Sequence, residues 1–296
     1  MQIINFGSMN LDHIYAVPHM ILGGETLLST GLTEAPGGKG LNQSIAVARG
    51  GSAIRHAGML GQGGEPLKAC LEESGVDTSL MVPCDAPQGH TVIQVIPSGQ
   101  NSIIVYGGSN QQLTREHIDH ALAATAPGDW VMAQNEISNL DYLLDACAAR
   151  GLRLVLNASP INDALLQLDF SKVAWLVVNE LEAAAIAGCD DPLEAAAKLR
   201  ARYPETALLL TLGESGSVSW EDGVEVRQAA YPARAVDTTA AGDTFMGYFV
   251  AALARGEDRQ TAMRLASMAS SIAVSRPGAA PSIPVLAEVE AALAAL

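Results

Sequence analysis

Nine residues, Asp237-Thr238-Thr239-Ala240-Ala241-Gly242-Asp243-Thr244-Phe245, carry the clearest chemical signal in this chain. The apolar run from Phe245 to Ala254 reads as a helix, and Tyr231 to Val236 reads as the end of a strand before it. The turn between them is therefore predicted to be a helix N-terminus. Ala240, Ala241 and Gly242 are too small to shield the backbone, so a ligand can reach N–H groups that have no partner inside the helix. The helix dipole favours an anion there, and phosphate is the obvious guest. A carboxylate in the same turn is repelled by that guest unless it has work to do. Asp243 can take a proton from a hydroxyl attacking the phosphate; it can also simply cap the helix.

Four other groups could do chemistry. Asn10 and Asp12 follow the first strand, and an amide and a carboxylate two residues apart can donate to and accept from neighbouring hydroxyls. They serve equally as turn residues. Gly37-Gly38-Lys39-Gly40 lacks the first glycine of a P-loop and the Ser or Thr that follows its lysine, and no GxGxxG follows the first strand. This argues against a Walker NTPase and against a dinucleotide dehydrogenase. Lys39 is either a ligand for sugar or phosphate or a solvated surface lysine. Asn179 and Glu182 share a helix face, a spacing that suits a capping box and also suits the hydration shell of Mg²⁺, which keeps most of its waters. Thr211-Leu212-Gly213, followed by Gly216, reads as a strand-ending turn of small residues.

The elements that must position these residues alternate strand and helix through most of the chain, the pattern of a mainly parallel sheet with helices on both faces. Strands are predicted near 2–6, 53–60, 76–82, 130–134, 152–157, 174–178 and 207–212, with a hairpin over 217–226. Helices are predicted over 39–49, 66–74, 140–150, 181–187, 192–202, 245–254 and 260–274, with a last one ending the chain. Segments 11–17, 27–35, 90–96 and 101–106 have no helices between them and suggest a small separate β layer, drawn from about 11–36 and 88–107 of a single domain spanning 1–296. Seventeen Lys and Arg stand against 32 Asp and Glu, a net charge of −15, which disfavours general binding to nucleic acid or anionic membrane. The N-terminus carries no signal-like segment, and no apolar run approaches the ~20 residues of a membrane helix. Cys70, Cys84, Cys147 and Cys189 are widely spaced, as expected of a protein of the reducing cytoplasm.

Six strings in order, Gly7 to Asp12, Gly37 to Gln43, Asn179 to Glu182, Thr211 to Gly213, Asp237 to Phe245 and Gly278 to Ser282, resemble those of the ribokinase family, the pfkB-type carbohydrate kinases. The resemblance covers nearly the whole chain. It implies an ATP-dependent sugar kinase with Asp243 as general base, the N–H groups of Ala240, Ala241, Gly242 and Asp243 as an anion hole, and ribose as the acceptor. Asn10, Asp12, Gly38, Lys39, Asn42 and Glu136 then match the sugar site. Asn179, Thr211, Gly213, Gly216 and Ser267 match the ATP site, although Ser267 stands where members often have His or Asn. Glu182 and Asn179 would hold Mg²⁺, mainly through water. Asp237, Thr239, Ala273, Arg276, Gly278 and Ser282 would form a K⁺ site. The β layer becomes a lid over the sugar and the contact of a homodimer.

Overall fold

The computed structural model describes residues 1–296. The first part of the chain runs β1 (Ile3–Phe6), β2 (Asn10–Ala16), β3 (Gly31–Gly37), α1 (Lys39–Arg49), β4 (Arg55–Gln62), α2 (Glu65–Glu73) and β5 (Asp77–Pro87). Then come β6 (His90–Val95), β7 (Asn101–Tyr106), α3 (Arg115–Leu122), β8 (Trp130–Gln134), α4 (Leu140–Ala149), β9 (Arg153–Asn157) and the short α5 (Asp163–Leu166). The last part holds β10 (Trp175–Asn179), α6 (Glu180–Ala187), α7 (Pro192–Arg202), β11 (Ala207–Thr211), β12 (Ser217–Glu221) and β13 (Val224–Gln228). Helices α8 (Ala241–Ala254), α9 (Arg259–Val274) and α10 (Leu286–Ala294) close the fold.

Nine strands form one sheet in the order β13-β12-β11-β10-β9-β8-β1-β4-β5, parallel except for the β11-β12-β13 edge. Its central strands are apolar at successive positions because both faces are covered. Alternation then sends neighbours to opposite cores: Leu208 and Leu210 join one cluster with α3 to α7, while Leu209 joins another with α1, α2, α8, α9 and α10. The clusters hold 35 and 33 buried residues, so neither face depends on the other for its apolar cover. In the second cluster the rings of Trp175 and Phe249 meet edge to face at 5.0 Å.

The remaining strands form a separate sheet in the order β3-β2-β6-β7, with β2 and β6 parallel and both outer pairs antiparallel. The chain crosses between the two sheets four times, at Gly7 to Met9, Gly37-Gly38, Gln88-Gly89 and Gly107-Gly108. Every crossing contains a glycine.

Three expectations need correction. Tyr231 to Val236 is not a strand: after β13 the chain leaves the sheet as an irregular strap whose Pro232 has no N–H for a ladder. The strap is tied instead to the end of α9, through Val236 N to Val274 O at 2.8 Å. Helix α3 escaped notice because its apolar side is only Ile118, Ala121 and Leu122; Thr114 starts it by accepting from His117 N. Asn10 and Asp12 are not loop residues at the edge of the large sheet but part of β2 in the small one.

Helices α1 and α8 pack closely where Gly247 faces α1. A Cβ at 247 would lie 2.3 Å from Ala46 Cβ and 2.8 Å from the Gln43 carbonyl oxygen. Gly247→Ala is expected to lower unfolding stability by about 1–3 kcal/mol despite alanine's better helix propensity. Urea midpoints of variant and parent check this, and an unchanged midpoint would show that the helices separate freely.

Candidate active site

The chemistry-bearing residues collect at the C-terminal ends of the parallel strands, the usual ligand edge of such a sheet. Gly7 to Asn10 follow β1, Glu136 follows β8, Asn179 ends β10, and Thr211 ends β11. Helix α8 starts at the same edge. Its N-cap, Ala240, has φ +60, and no side chain caps the helix. This left-handed conformation costs a non-glycine residue on the order of 1 kcal/mol. The Ala241 N–H donates to Thr238 O at 3.2 Å, whereas those of Gly242 and Asp243 donate to nothing in the protein. With Ala240 N, which also has no acceptor, three of the four N–H groups expected to face an anion are thus open, and that of Ala241 is shared with its own turn.

Asp243 is buried, but not as a cap. Its Oδ2 accepts from Asn42 Nδ2 at 3.1 Å and its Oδ1 from Gln43 Nε2 at 2.9 Å, both donors lying on α1. The carboxylate stands between an uncapped helix end and a polar pocket. Asn42 Oδ1 is buried there with no protein donor, an unsatisfied acceptor beside the carboxylate.

The small sheet supplies the other wall. Thr91 Oγ1 on β6 donates to Asp12 Oδ1 at 2.6 Å, and burial pushes the Asp12 carboxyl up despite this bond. Asn110, which the sequence pattern does not single out, holds Asn10. Its Nδ2 donates to Asn10 Oδ1 at 2.8 Å, and its Oδ1 accepts from Met9 N at 3.0 Å. Asn10 therefore has its amide N–H₂ free as a donor. Gly38 begins α1 at φ +98 with Asn10 N only 2.9 Å from where a Cβ would sit, so this position needs glycine for both its conformation and the close approach.

Lys39 is not a solvated surface residue. Burial pulls its ammonium down, yet Asp243, Glu136 and Glu182 together outweigh that and raise it above the ordinary lysine value. Burial pushes Glu136 up in turn, against the opposing pull of Lys39 and of the Ser8 hydroxyl that donates to it. Glu182 is raised by burial as well. Asn179 and Glu182 make the full capping box: Asn179 Oδ1 accepts from Glu182 N at 2.9 Å, and Glu182 Oε2 accepts from Asn179 N at 2.8 Å. One Lys39 among three carboxylates leaves the pocket with an excess of negative charge.

Beside the α8 turn opens a cavity of about 580 Å³. Thr211, Gly213, Gly216 and Ser267 line it together with Ala241 and Gly242, so four of the five residues matched to ATP share one space with the α8 turn, while Asn179 does not line it. The strap residues Tyr231 and Pro232, and Phe245 of α8, form walls that the sequence reading missed by taking the strap for a strand. A second cavity of about 420 Å³ lies among Arg153, Arg200 and Trp220, and none of the candidate site residues lines it.

Asp237 ties the turn to the chain after α9. Its Oδ1 accepts from Thr239 N at 2.9 Å and Thr239 Oγ1 at 2.6 Å, and its Oδ2 from Gly278 N at 2.9 Å. Burial pushes the Asp237 carboxyl up, but these donors win and it ends below its ordinary value. Nearby, Ala273 O accepts from Arg276 N at 3.0 Å, and the buried Ser282 hydroxyl donates to Ala279 O at 2.7 Å.

The raised Glu136 carboxyl gives a pH signature. A carboxyl raised by folding adds stability that is fully present below its ordinary value of 4.5 and is lost as pH rises through the folded value. Glu136→Gln, which cannot ionise, is expected to gain on the parent as pH rises from acid to neutral. Tm of both proteins across that range checks this, and a constant difference would show that the charge is fully compensated.

The profile of the pfkB family carbohydrate kinases matches residues 2–286. The chain is 33% identical over 288 residues to a ribokinase of Bacillus subtilis, covering 96% of each. Its fold superposes with TM-score 0.86 on a ribokinase from Cryptococcus neoformans var. grubii in complex with ADP, at 33% identity and covering 98% of this chain and 99% of that one. Arabidopsis thaliana ribokinase complexed with ribose and ATP superposes with TM-score 0.85 at 26% identity, covering 99% and 98%. With an uncapped helix end, a buried carboxylate and a polar pocket in one place, and with these likenesses over almost its full length, the chain belongs to the pfkB family of carbohydrate kinases.

Proposed function

We propose that this kinase transfers the γ-phosphoryl group of ATP to the primary hydroxyl (O5) of D-ribose, with Asp243 as the general base. The observation that carries the reading is the position of Asp243. Asp243 carries the last of the unpaired N–H groups at the start of α8, next to Gly242 of the cavity that Thr211 and Gly213 line, and its carboxylate accepts from Asn42 on α1, the helix that begins at Gly38 against Asn10. A base at the junction of a phosphate site and a hydroxyl site can remove the proton as the oxygen attacks. The helix end takes up charge on the phosphoryl oxygens without reorganising. The Asn10 amide as donor and the Asp12 carboxylate with Asn42 Oδ1 as acceptors suit the vicinal hydroxyls of a pentose. The small sheet serves as lid over that sugar within one domain spanning the chain, keeping water from competing as acceptor.

Two cations belong to the same proposal. The excess of carboxylates near Lys39 supports Mg²⁺ near Asn179 and Glu182, held mainly through water because the capping box already engages both side chains. Bound there, Mg²⁺ supplies charge that neutralises the phosphates. K⁺ suits the Asp237 loop, since the carbonyls of Asp237, Thr239, Arg276 and Gly278 accept no hydrogen bond within the protein. The bonds of Asp237 bring those two segments together, with Ala273 and Ser282 beside them. A homodimer through the lid is supported by β7, exposed along its length with Ile103, Ile104, Val105 and Tyr106 each at least half exposed. We assign the protein to the reducing cytoplasm, which suits its four unpaired cysteines.

Asp243→Asn is expected to lower kcat by about 10² to 10⁴-fold with little change in KM for either substrate. ADP release measured with ribose, deoxyribose, fructose and nucleosides, with and without K⁺, tests base and acceptor together. Near-normal turnover of the variant removes the base, and a better acceptor than ribose removes the sugar assignment. Ile104→Lys is expected to give monomers in light scattering, and an unchanged dimer would place the contact elsewhere.

A further inference from the structure

Behind Asp243 lies a row of amides buried from solvent. Asn5 on β1, Gln43 on α1 and Gln134 on β8 have no solvent exposure. Asn5 Nδ2 donates to Gly40 O at 2.8 Å and to Ser44 Oγ at 2.9 Å. Its Oδ1 accepts from Gln134 Nε2 at 3.0 Å, and the same nitrogen donates to Gln43 Oε1 at 2.7 Å. Gln43 Nε2 then donates to Asp243 Oδ1 at 2.9 Å.

The row has a direction, and the backbone sets it. The Gly40 carbonyl can only accept, so Asn5 must turn its amide nitrogen toward it and its oxygen away. Gln134 must then donate to Asn5, and with its second hydrogen to Gln43. That leaves the Gln43 amide with its donor facing the carboxylate. Inverting any one amide sets acceptor against acceptor or donor against donor in a place closed to bulk solvent. Gln134 Oε1 meanwhile has no partner within the protein. A core keeps such a cost poorly if the side chain only fills space, because leucine or methionine fill it without an unpaired oxygen.

We propose that Gln43, Gln134 and Asn5 are positioning residues that fix the general base. Anchored at the Gly40 carbonyl, the row presents a fixed donor to Asp243 Oδ1 and so holds the other oxygen, at the Asn42 side, toward the acceptor hydroxyl. This rests on Asp243 being the base.

The test is Gln134→Glu, which keeps the size and reverses the polarity. An introduced carboxylate has no hydrogen for Gln43 Oε1, so the Gln43 amide inverts and turns its oxygen to Asp243. The kcat is expected to fall about 10 to 10²-fold, less than for outright loss of a transition-state donor, while KM for sugar and ATP barely moves. The loss should deepen as pH rises through neutrality, because only the protonated carboxyl can still donate. It should vanish in a Gln43→Met background, which has no amide to invert. Should the carboxyl prevent folding, Gln134→Met removes both donors without adding charge, and kcat per folded molecule, counted by ADP binding, is again expected to drop with KM unchanged. Full kcat in the folded variant, or a loss that persists undiminished with Gln43→Met, overturns the proposal. If Asp243→Asn is inactive while Gln134→Glu turns over normally, only the amide row fails. If Asp243→Asn is active, the base itself fails first.

Discussion

The crossing of α1 and α8 is the constraint on which the rest of the site depends. Gly247 lets the two helices approach until the Gln43 carbonyl and Ala46 fill the place of its missing side chain. At that separation Asn42 and Gln43 reach the Asp243 carboxylate from a neighbouring helix. A wider crossing would leave the same three residues buried and unpaired. Both helices also begin at the ligand edge of the large sheet, one after Gly38 and the other after Ala240. One contact thus sets the distance between the residues that would hold a hydroxyl and the residue that would deprotonate it.

Electrostatics then divides the labour. Anions would meet backbone: the open end of α8 offers dipole and N–H groups suited to phosphate, in a chain whose net charge is −15. Cations meet carboxylates, since Glu136, Glu182 and Asp243 surround Lys39 and outnumber it. Folding leaves Asp12, Glu136 and Glu182 all raised by burial, so the pocket holds charges that the isolated fold disfavours. Proteins commonly accept such a cost where ligands provide the compensation.

Much of this was legible in the sequence, because helix N-termini, small-residue turns and alternating apolar strands have local signatures. The Asp237 to Phe245 turn, the glycines opening α1 and the Asn179-Glu182 spacing needed no long-range information. The small sheet was readable as four strands without intervening helices, although the parallel pairing of β2 with β6 joins residues about 80 apart and was not. The strap at Tyr231 to Val236 has strand-like composition, but its place beside the cavity depends on α9, far along the chain. Asn110 and the amides of Asn5, Gln43 and Gln134 were missed for a related reason. Each looks like a single polar residue in an apolar run, and only the folded chain shows that they bond to one another. The usable signal was Asn42-Gln43-Ser44 on the buried side of a helix, with Asn5 inside an otherwise apolar strand.

The small sheet hangs from the body by four separate stretches of chain, each with a glycine. A flap on one tether can swing in any direction and be lost to a single cut. A plate held at four points along one edge cannot: Asn10 pairs with Gly37 and His90 with Tyr106, so its strands keep their register and the soft joints restrict it to tilting as a unit about the line they share. Asp12 and Thr91, bonded across two of its strands, must therefore arrive at the pocket together or not at all.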